Sequence, residues 1–421
     1  MPFDPYAGIP HLPTPDSGLD LLREGYAFAS RRCEQLGTAA FRARVLGVPV
    51  VFMRGREATR LFYASGLFTR RGAVPPFVKH LLQDDGSVQA LDDAAHHHRK
   101  AMFRGLLGGP EAVGRIREMF IEEWQRAVRL WSGQDRIELH RHAQVVLTRT
   151  ALRFTGVRLN EADVRRRAQD LAAMVDRVAL VGPPNWWARL RRRGTEAWAA
   201  DLVERTRAGE LSPPPESPLA VIAAHAEPDG RPLSPQVAAV ELINVLRPTV
   251  AISRFLAFAA VALIEHPAWY EEFAAGKEAD LEGFVHEVRR RYPFFPAVPG
   301  RARETFAWHG EEVAAGALVI LDLYGTNHDP ALWDRPEAFV PERFRDWDGD
   351  PDTLIPQGGG DVATGHRCPG ENITIELMKE TVRQLTRGMQ YRVPVQDLSI
   401  ALNRPPALPR EGVLLSDVAV V

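Results

Sequence analysis

Cysteine is nearly absent: 421 residues contain two, Cys33 and Cys368. Two thiols cannot build a disulfide framework, so an ordinary buried core must hold the chain together. A reducing, cytoplasmic setting is expected. An excess of one charge is also lacking. The formal net charge is −2, which gives no sign of a nucleic-acid or acidic-membrane partner. Met1-Pro2-Phe3-Asp4-Pro5 lacks the basic and apolar regions of a signal peptide. No apolar stretch is expected to reach the roughly 18 residues that span a bilayer. Internal repeats and long low-complexity tracts are missing, as is any polar linker long enough to divide two cores. What is present is a globular balance, 45% hydrophobic and 25% charged. The expectation is one domain over residues 1–421, mainly α with a smaller β part.

The pattern along the chain supports that class. Arg42 to Phe52 alternates and then runs β-branched, with Gly47 and Pro49 as breaks, which predicts short strands. Residues 114–156 have helical spacing. Pro183-Pro184 and Pro213-Pro214-Pro215 read as loops. Ser234 suits a helix N-cap and Pro235 a first helical position. Apolar residues then continue to Ile264, and Pro267 ends the segment. Some 30 residues of helix span about 45 Å, enough to cross a domain. A further helix covers Leu281 to Arg290 and stops before Pro293. Trp308 to Leu323 has strand and turn character, residues 351–366 are Gly-rich and irregular, and a last helix begins near Glu371.

Three places carry chemistry. The first is Gln357-Gly-Gly-Gly-Asp-Val-Ala-Thr-Gly-His-Arg-Cys-Pro-Gly-Glu-Asn-Ile-Thr374. Its glycines would let the backbone approach a flat cofactor. Cys368 lies just before a helix N-terminus, whose free N–H groups favour a thiolate, and His366 and Arg367 add positive charge. A lone cysteine in a loop-to-helix turn is otherwise an inert buried thiol. The second place is Arg247-Pro248, inside the long helix. Pro248 cannot donate to the Asn244 carbonyl and costs about 3 kcal/mol, and such strain points to an active site. Arg247 stands in apolar surroundings and needs an anion. Glu241, six residues away, shares a helix face poorly. A substrate carboxylate, gripped by both arms of the guanidinium, is the preferred partner. The third is Trp186-Trp-Ala-Arg-Leu-Arg-Arg-Arg193. It reads as a solvated helix face, with a membrane-skimming or nucleic-acid patch as alternatives.

Further motifs carry a resemblance. Glu287-Val-Arg-Arg290 reads as an ExxR pair. Asn327-His-Asp-Pro330, Trp333 and Phe339-Val-Pro-Glu-Arg-Phe344 lead toward the cysteine loop. In these the chain resembles the cytochromes P450. The resemblance implies the P450 fold around a single haem-binding domain, with haem b and Cys368 as its axial metal ligand. It also implies a buried structural triad of Glu287, Arg290 and Arg343. The usual loop has Phe seven, Gly four and Arg two residues before the cysteine; here these are Asp361, Thr364 and His366. Ordinary P450 monooxygenases carry an acid and an alcohol where Arg247 and Pro248 stand.

Arg-Pro in that helix, with the Gly-Gly-Gly…Gly-His-Arg-Cys-Pro-Gly-Glu loop, closely resembles the bacterial fatty-acid peroxygenases, the CYP152-type branch. This implies hydrogen peroxide as oxidant, a fatty acid as substrate and no redox partner protein. The substrate's carboxylate, held by Arg247, serves as general acid–base, giving 2- or 3-hydroxy acids. Alternatives are a decarboxylase releasing terminal alkenes, a monooxygenase needing redox partners, and a haem-thiolate sensor or carrier. The resemblance places Gln89 with Arg247 and Pro248 at the catalytic centre. Leu82 and Gln83 fall near the substrate, Gln83 being a departure from the usual apolar or aromatic residue. Phe294 and Phe295 line the pocket or pack in the core. His96 and Lys100, at i,i+4, are placed for haem propionates, and His366 for the cofactor. Consecutive His96-His97-His98 would make a poor chelate.

Overall fold

Six helices begin on a proline, including those at Pro76, Pro110, Pro183 and Pro235. A first helical residue has no intrahelical acceptor for its N–H, so proline loses nothing there and presets φ. For the same reason Pro183-Pro184, expected in a loop, opens a 25-residue helix. The computed structural model describes residues 8–421 apart from Ser65 and Asp85.

In chain order the elements begin with α1 (Gly18–Glu24), α2 (Phe28–Leu36), β1 (Ala40–Val45), β2 (Val48–Met53), α3 (Arg56–Ala64), β3 (Phe68–Thr69), α4 (Pro76–Leu82) and α5 (Asp93–Leu107). There follow α6 (Pro110–Trp131), β4 (Arg136–Glu138), α7 (Leu139–Thr155), α8 (Glu161–Asp176), α9 (Pro183–Arg207), α10 (Pro218–Ala224), α11 (Pro235–Ala251) and α12 (Ser253–Glu265). The rest are α13 (Pro267–Ala274), α14 (Leu281–Arg291), β5 (Ala297–Ala302), β6 (Phe306–Trp308), β7 (Glu311–Val313), β8 (Leu318–Asp322), α15 (Leu323–Asn327), α16 (Glu371–Arg383), β9 (Met389–Arg392) and β10 (Leu414–Val420). This is the expected mainly α chain with a smaller β part.

The chain divides into two compact units. One comprises residues up to Pro75 with Arg289–Cys368 and Ala401–Ala407. It holds a five-stranded sheet in the order β1-β2-β8-β5-β3. Leu46 and Gly47 both take positive φ, which closes the β1–β2 hairpin in register Val45↔Val48. Alternation then sorts the side chains. Phe41, Ala43, Val50 and Phe52 pack on Phe28 and Cys33 of α2. Val51, Met53, Val319 and Leu321 face Phe62, Trp308 and Ile355. Cys33 is fully buried, and burial pushes its thiol up to about 12, so it is inert.

The second unit comprises Pro76–Val288, Pro369–Ile400 and Leu408–Val421. The helical spacing over 114–156 resolves into two helices, α6 and α7, because a turn at Ser132–Gly133 lets β4 pair with β10. The Ser234 hydroxyl caps α11 by accepting from Val237 N–H (3.2 Å). Helix α11 continues through Pro248. Its ladder lapses at Ile252, one turn later, where the Ile252 N–H reaches the Thr249 carbonyl (3.2 Å). The expectation that no stretch could span a membrane fails on composition. Pro235–Glu265 runs 31 residues with mean hydropathy 1.6 in its most apolar window. That window is 83% buried, so its all-round apolar surface serves the core.

Candidate active site

On α11, Glu241, Asn244 and Arg247 follow at three-residue steps, so each side chain neighbours the next. Arg247 is buried. One guanidinium nitrogen donates to the Leu82 carbonyl at the end of α4 (2.7 Å) and to Asn244 Oδ1 (3.1 Å). The amide nitrogen of Asn244 donates to Glu241 Oε2 (2.9 Å) and to Gln89 Oε1 (3.0 Å). A carboxylate can only accept, so Glu241 turns the amide N–H groups of Asn244 toward itself and leaves Oδ1 for Arg247. Glu241 is fully buried. Its Oε1 accepts from Arg99 (2.6 Å) and from Val88 N–H (2.8 Å). Burial pushes the Glu241 carboxyl up, against the pull of Arg99. Arg99, also buried, reaches Glu227 with its other arm.

The structure therefore brings Leu82, Gln89 and Arg247 together, with Leu82 contributing its backbone carbonyl. Glu241 is engaged by Arg99 and Asn244. Asn244 and Arg99 are the residues that sequence reasoning missed. For Asn244 the available signal was its place three residues before a buried arginine. Gln83 also contributes a carbonyl, which accepts from Arg192 of α9 (2.7 Å).

Helix α5 carries His96 and Lys100 on one face, both buried. His97 is exposed, and His98 turns away to the Ala226 carbonyl (2.9 Å). The three histidines diverge, and no cluster of metal-ligating residues occurs among the described residues.

In the first unit, Cys368 ends the irregular loop, and its N–H donates to the Gln357 carbonyl (3.1 Å). Arg289 donates to the Gln357 side chain (3.2 Å). The glycine run has a packing reason within the protein itself. A Cβ on Gly359 would stand 2.5 Å from Thr59 Cγ2, and one on Gly360 (φ +70°) 2.6 Å from Tyr63 Cβ. These glycines let the loop lie against α3. Asp361, in place of the usual Phe, organises the loop. Its Oδ1 accepts from the N–H groups of Ala363 and Thr364, both at 2.8 Å. His366 and Arg367 are half-buried, and Arg367 donates to the Pro351 carbonyl (3.2 Å). Phe294 is buried and meets half-buried Phe295 edge to face at 4.7 Å.

Glu287 and Arg290 of α14 are fully buried. Arg290 donates to the carbonyls of Asn327 (2.9 Å), Pro336 (2.9 Å) and Ala338 (3.2 Å), and lies over Trp333. Arg343 reaches the Asp334 carbonyl (2.7 Å). Two arginines thus clamp the segment leading to the cysteine loop.

The donor set fits haem iron. Of the two cysteines, Cys33 is sealed in the core, while Cys368 is partly exposed at the end of a loop held by backbone hydrogen bonds. A thiolate presented this way is a suitable axial ligand.

The cytochrome P450 family profile matches residues 281–396. Among solved structures, cytochrome P450SP alpha (CYP152B1) in complex with (R)-ibuprophen is 43% identical. The likeness covers 97% of this chain and 100% of that one, with a TM-score of 0.94. The chain belongs to the CYP152 family of cytochromes P450. This CYP152 chain is also 37% identical to P450EX alpha (CYP152N1) with myristic acid, over 99% of this chain and 100% of that one, at TM-score 0.94. An OleT variant in complex with arachidonic acid is 33% identical, over 99% of each chain, at TM-score 0.95. Among curated proteins, the trimethyltridecatetraene synthase of Zea mays is 32% identical over 142 residues, 31% of this chain and 25% of that protein. The match thus spans about a quarter of that plant relative's length. As a CYP152 protein the chain is a haem-thiolate protein with the P450 fold.

Proposed function

We propose that this chain is a peroxygenase that uses hydrogen peroxide to hydroxylate long-chain fatty acids at the α or β carbon. The observation that carries the reading is Arg247. It is a buried guanidinium on the α11 edge, oriented by the Leu82 carbonyl and Asn244, with proline following it. The myristic acid, arachidonic acid and ibuprofen named with the CYP152 structures are all carboxylic acids, which supports a carboxylate as its partner.

Cys368 would hold the iron, with His96, Lys100 and His366 placed for the rest of the haem. When bound, the haem supplies the iron at which the peroxide O–O bond is cleaved, helped by electron density from the thiolate. Arg247 pairs with the fatty-acid carboxylate while the Leu82 carbonyl and Asn244 hold one of its guanidinium nitrogens in place. Anchoring the head group presents Cα and Cβ, the carbons next to it, for oxidation. Arg247 and Pro248 provide neither an acid nor an alcohol, so the held carboxylate is the group that moves the proton. Gln89 is a neutral amide joined to Asn244 and supplies no proton of its own, which favours hydroxy acids over alkenes. Peroxide then suffices without a redox partner protein. The low cysteine content, with Cys33 sealed in the core, suits a cytoplasmic setting.

Replacing Arg247 with Ala tests this. Losing one member of a buried charge pair costs about 2–5 kcal/mol, which is at least about 30-fold in kcat/KM. Peroxide-driven oxidation of a fatty acid is expected to collapse while haem absorbance survives. Undiminished turnover of the acid by R247A would show that Arg247 does not anchor it.

A further inference from the structure

The first turns of α9 are built inside out. The inward face carries Asn185, Ala188, Arg192 and Thr195, all buried. Asn185 donates to the Phe77 and Arg177 carbonyls (3.4 and 3.3 Å). Arg192 donates to Glu196 and to the Gln83 carbonyl. The apolar side chains point outward: Trp186 is 64% exposed, Trp187 46% and Leu190 65%. Leu180 and Val181, just before the helix, are 42% and 79% exposed, and Phe77, tied to the same turn through Asn185, is 37% exposed. A helix of a soluble chain normally buries its apolar stripe. Trp186, Trp187 and Leu190 on the outward face of α9, with Leu180 and Val181 exposed just before it, mark an interaction site.

The charge around this surface identifies its partner. Residues 177–195 contain five arginines and no acidic residue. Arg191 pairs with Asp170 and lies over the Trp187 ring, and buried Arg192 pairs with half-buried Glu196. Arg177, Arg189 and Arg193 form no ion pair among the described residues. Spacing puts Trp186, Arg189, Leu190 and Arg193 on one stripe. Tryptophan prefers the membrane–water boundary, leucine and valine the acyl layer just below, and arginine the anionic headgroups. The overall charge of −2 hides this patch because acidic residues elsewhere balance it.

We propose that the start of α9, with Leu180 and Val181, docks the protein onto an anionic lipid bilayer. The same short turn connects the patch to the acid anchor: α9 grips the Gln83 carbonyl through Arg192, and Arg247 grips the Leu82 carbonyl. Long-chain acids partition into bilayers, so docking would bring this turn to where such acids reside. Only this last consequence rests on the fatty-acid reading.

The test is vesicle flotation of the full-length holoenzyme. Phosphatidylcholine vesicles are compared with phosphatidylcholine–phosphatidylglycerol vesicles at low and high salt. Flotation with the anionic vesicles, weakened by salt, is expected. The triple variant Trp186→Ser, Trp187→Ser, Leu190→Ser should bind at least tenfold more weakly. Arg189→Gln with Arg193→Gln should lose about 25-fold, at roughly fivefold per charge. Leu130→Ser, at a site 59% exposed on α6, is the control and should float like the wild type. Haem absorbance and turnover of a water-soluble carboxylic acid should not change in the triple variant. No flotation, or flotation unaffected by the α9 changes, would overturn the proposal. So would α9-dependent retention on duplex DNA without vesicle binding, or α9-dependent self-association in place of lipid binding. Loss of soluble-acid turnover in the triple variant would also overturn it, by assigning these side chains to the fold.

Discussion

Replacing Asn244 with Leu removes the amide that links Glu241 to Arg247 while keeping nearly the same volume. Three hydrogen bonds disappear: to Glu241 (2.9 Å), to Gln89 (3.0 Å) and from Arg247 (3.1 Å). Arg247 keeps the Leu82 carbonyl, and Glu241 keeps Arg99 and Val88. The fold should therefore stand while Arg247 loses its Asn244 restraint. A hydrogen bond to a charged group contributes about 1.5–3 kcal/mol. If all of that served carboxylate binding, kcat/KM would fall about 10- to 150-fold; the surviving Leu82 contact puts the expectation near the lower end. Because the restraint acts on binding and placement, both KM and kcat should worsen. A merely structural role would instead lower the fraction of intact haem protein and leave both constants per haem unchanged. Initial rates with peroxide over a range of fatty-acid concentrations, normalised to haem, separate the two. Asn244→Asp should be worse than Asn244→Leu. It sets a second carboxylate against Glu241 and offers Arg247 an internal anion that competes with substrate. A kcat/KM for N244L within about twofold of wild type would refute the reasoning.

Other consequences can be checked independently. Cys368→Ser should remove the thiolate-type absorption of the reduced carbon monoxide complex, and persistence of that band would mean the ligand lies elsewhere. Gly360→Ala forces a Cβ into a left-handed conformation 2.6 Å from Tyr63 Cβ. It should cost about 2–3 kcal/mol in urea unfolding and weaken haem retention. His140 is buried beside Gln144, and burial holds its pKa down near 4. The unfolded chain takes up this proton near pH 6.5 and the folded chain does not, so stability present above pH 6.5 drains away as pH falls toward 4. His140→Gln should remove about one proton of uptake on unfolding over that range, worth about 1–3 kcal/mol by pH 4.5. Parallel denaturant curves for wild type and H140Q at every pH would rule this linkage out.

Local features survive translation from sequence to structure well. Ser234 and Pro235 start α11 because a hydroxyl acceptor and a preset φ act within one turn of chain. Leu46-Gly47 closes the first hairpin, and Leu281–Arg291 stops short of Pro293, for equally local reasons. The motif around Cys368 was readable because haem ligation needs particular side chains in a particular order, and Arg247 stood out as an arginine in an apolar helix. Pro183-Pro184 misled because proline reads as a break until its position at a helix start is known. The turn separating α6 from α7 was hidden because residues 114–156 keep a helical period on both sides of it.

The remainder depends on contacts between distant segments. Residue types already pointed to a cysteine ligand and a buried guanidinium. They could not show which carboxylate Arg99 would occupy, because Glu241 lies 142 positions away along the chain. Nor could they show that Asn244 would pass Glu241's orientation on to Arg247, since that needs α5, α11 and the Val88–Ala90 turn packed together. That α3 lies against the glycines at 358–360 likewise depends on packing between segments about 300 residues apart. Trp186 and Trp187 could have been core or surface, because a helical period fixes which residues share a face and only packing fixes where that face points.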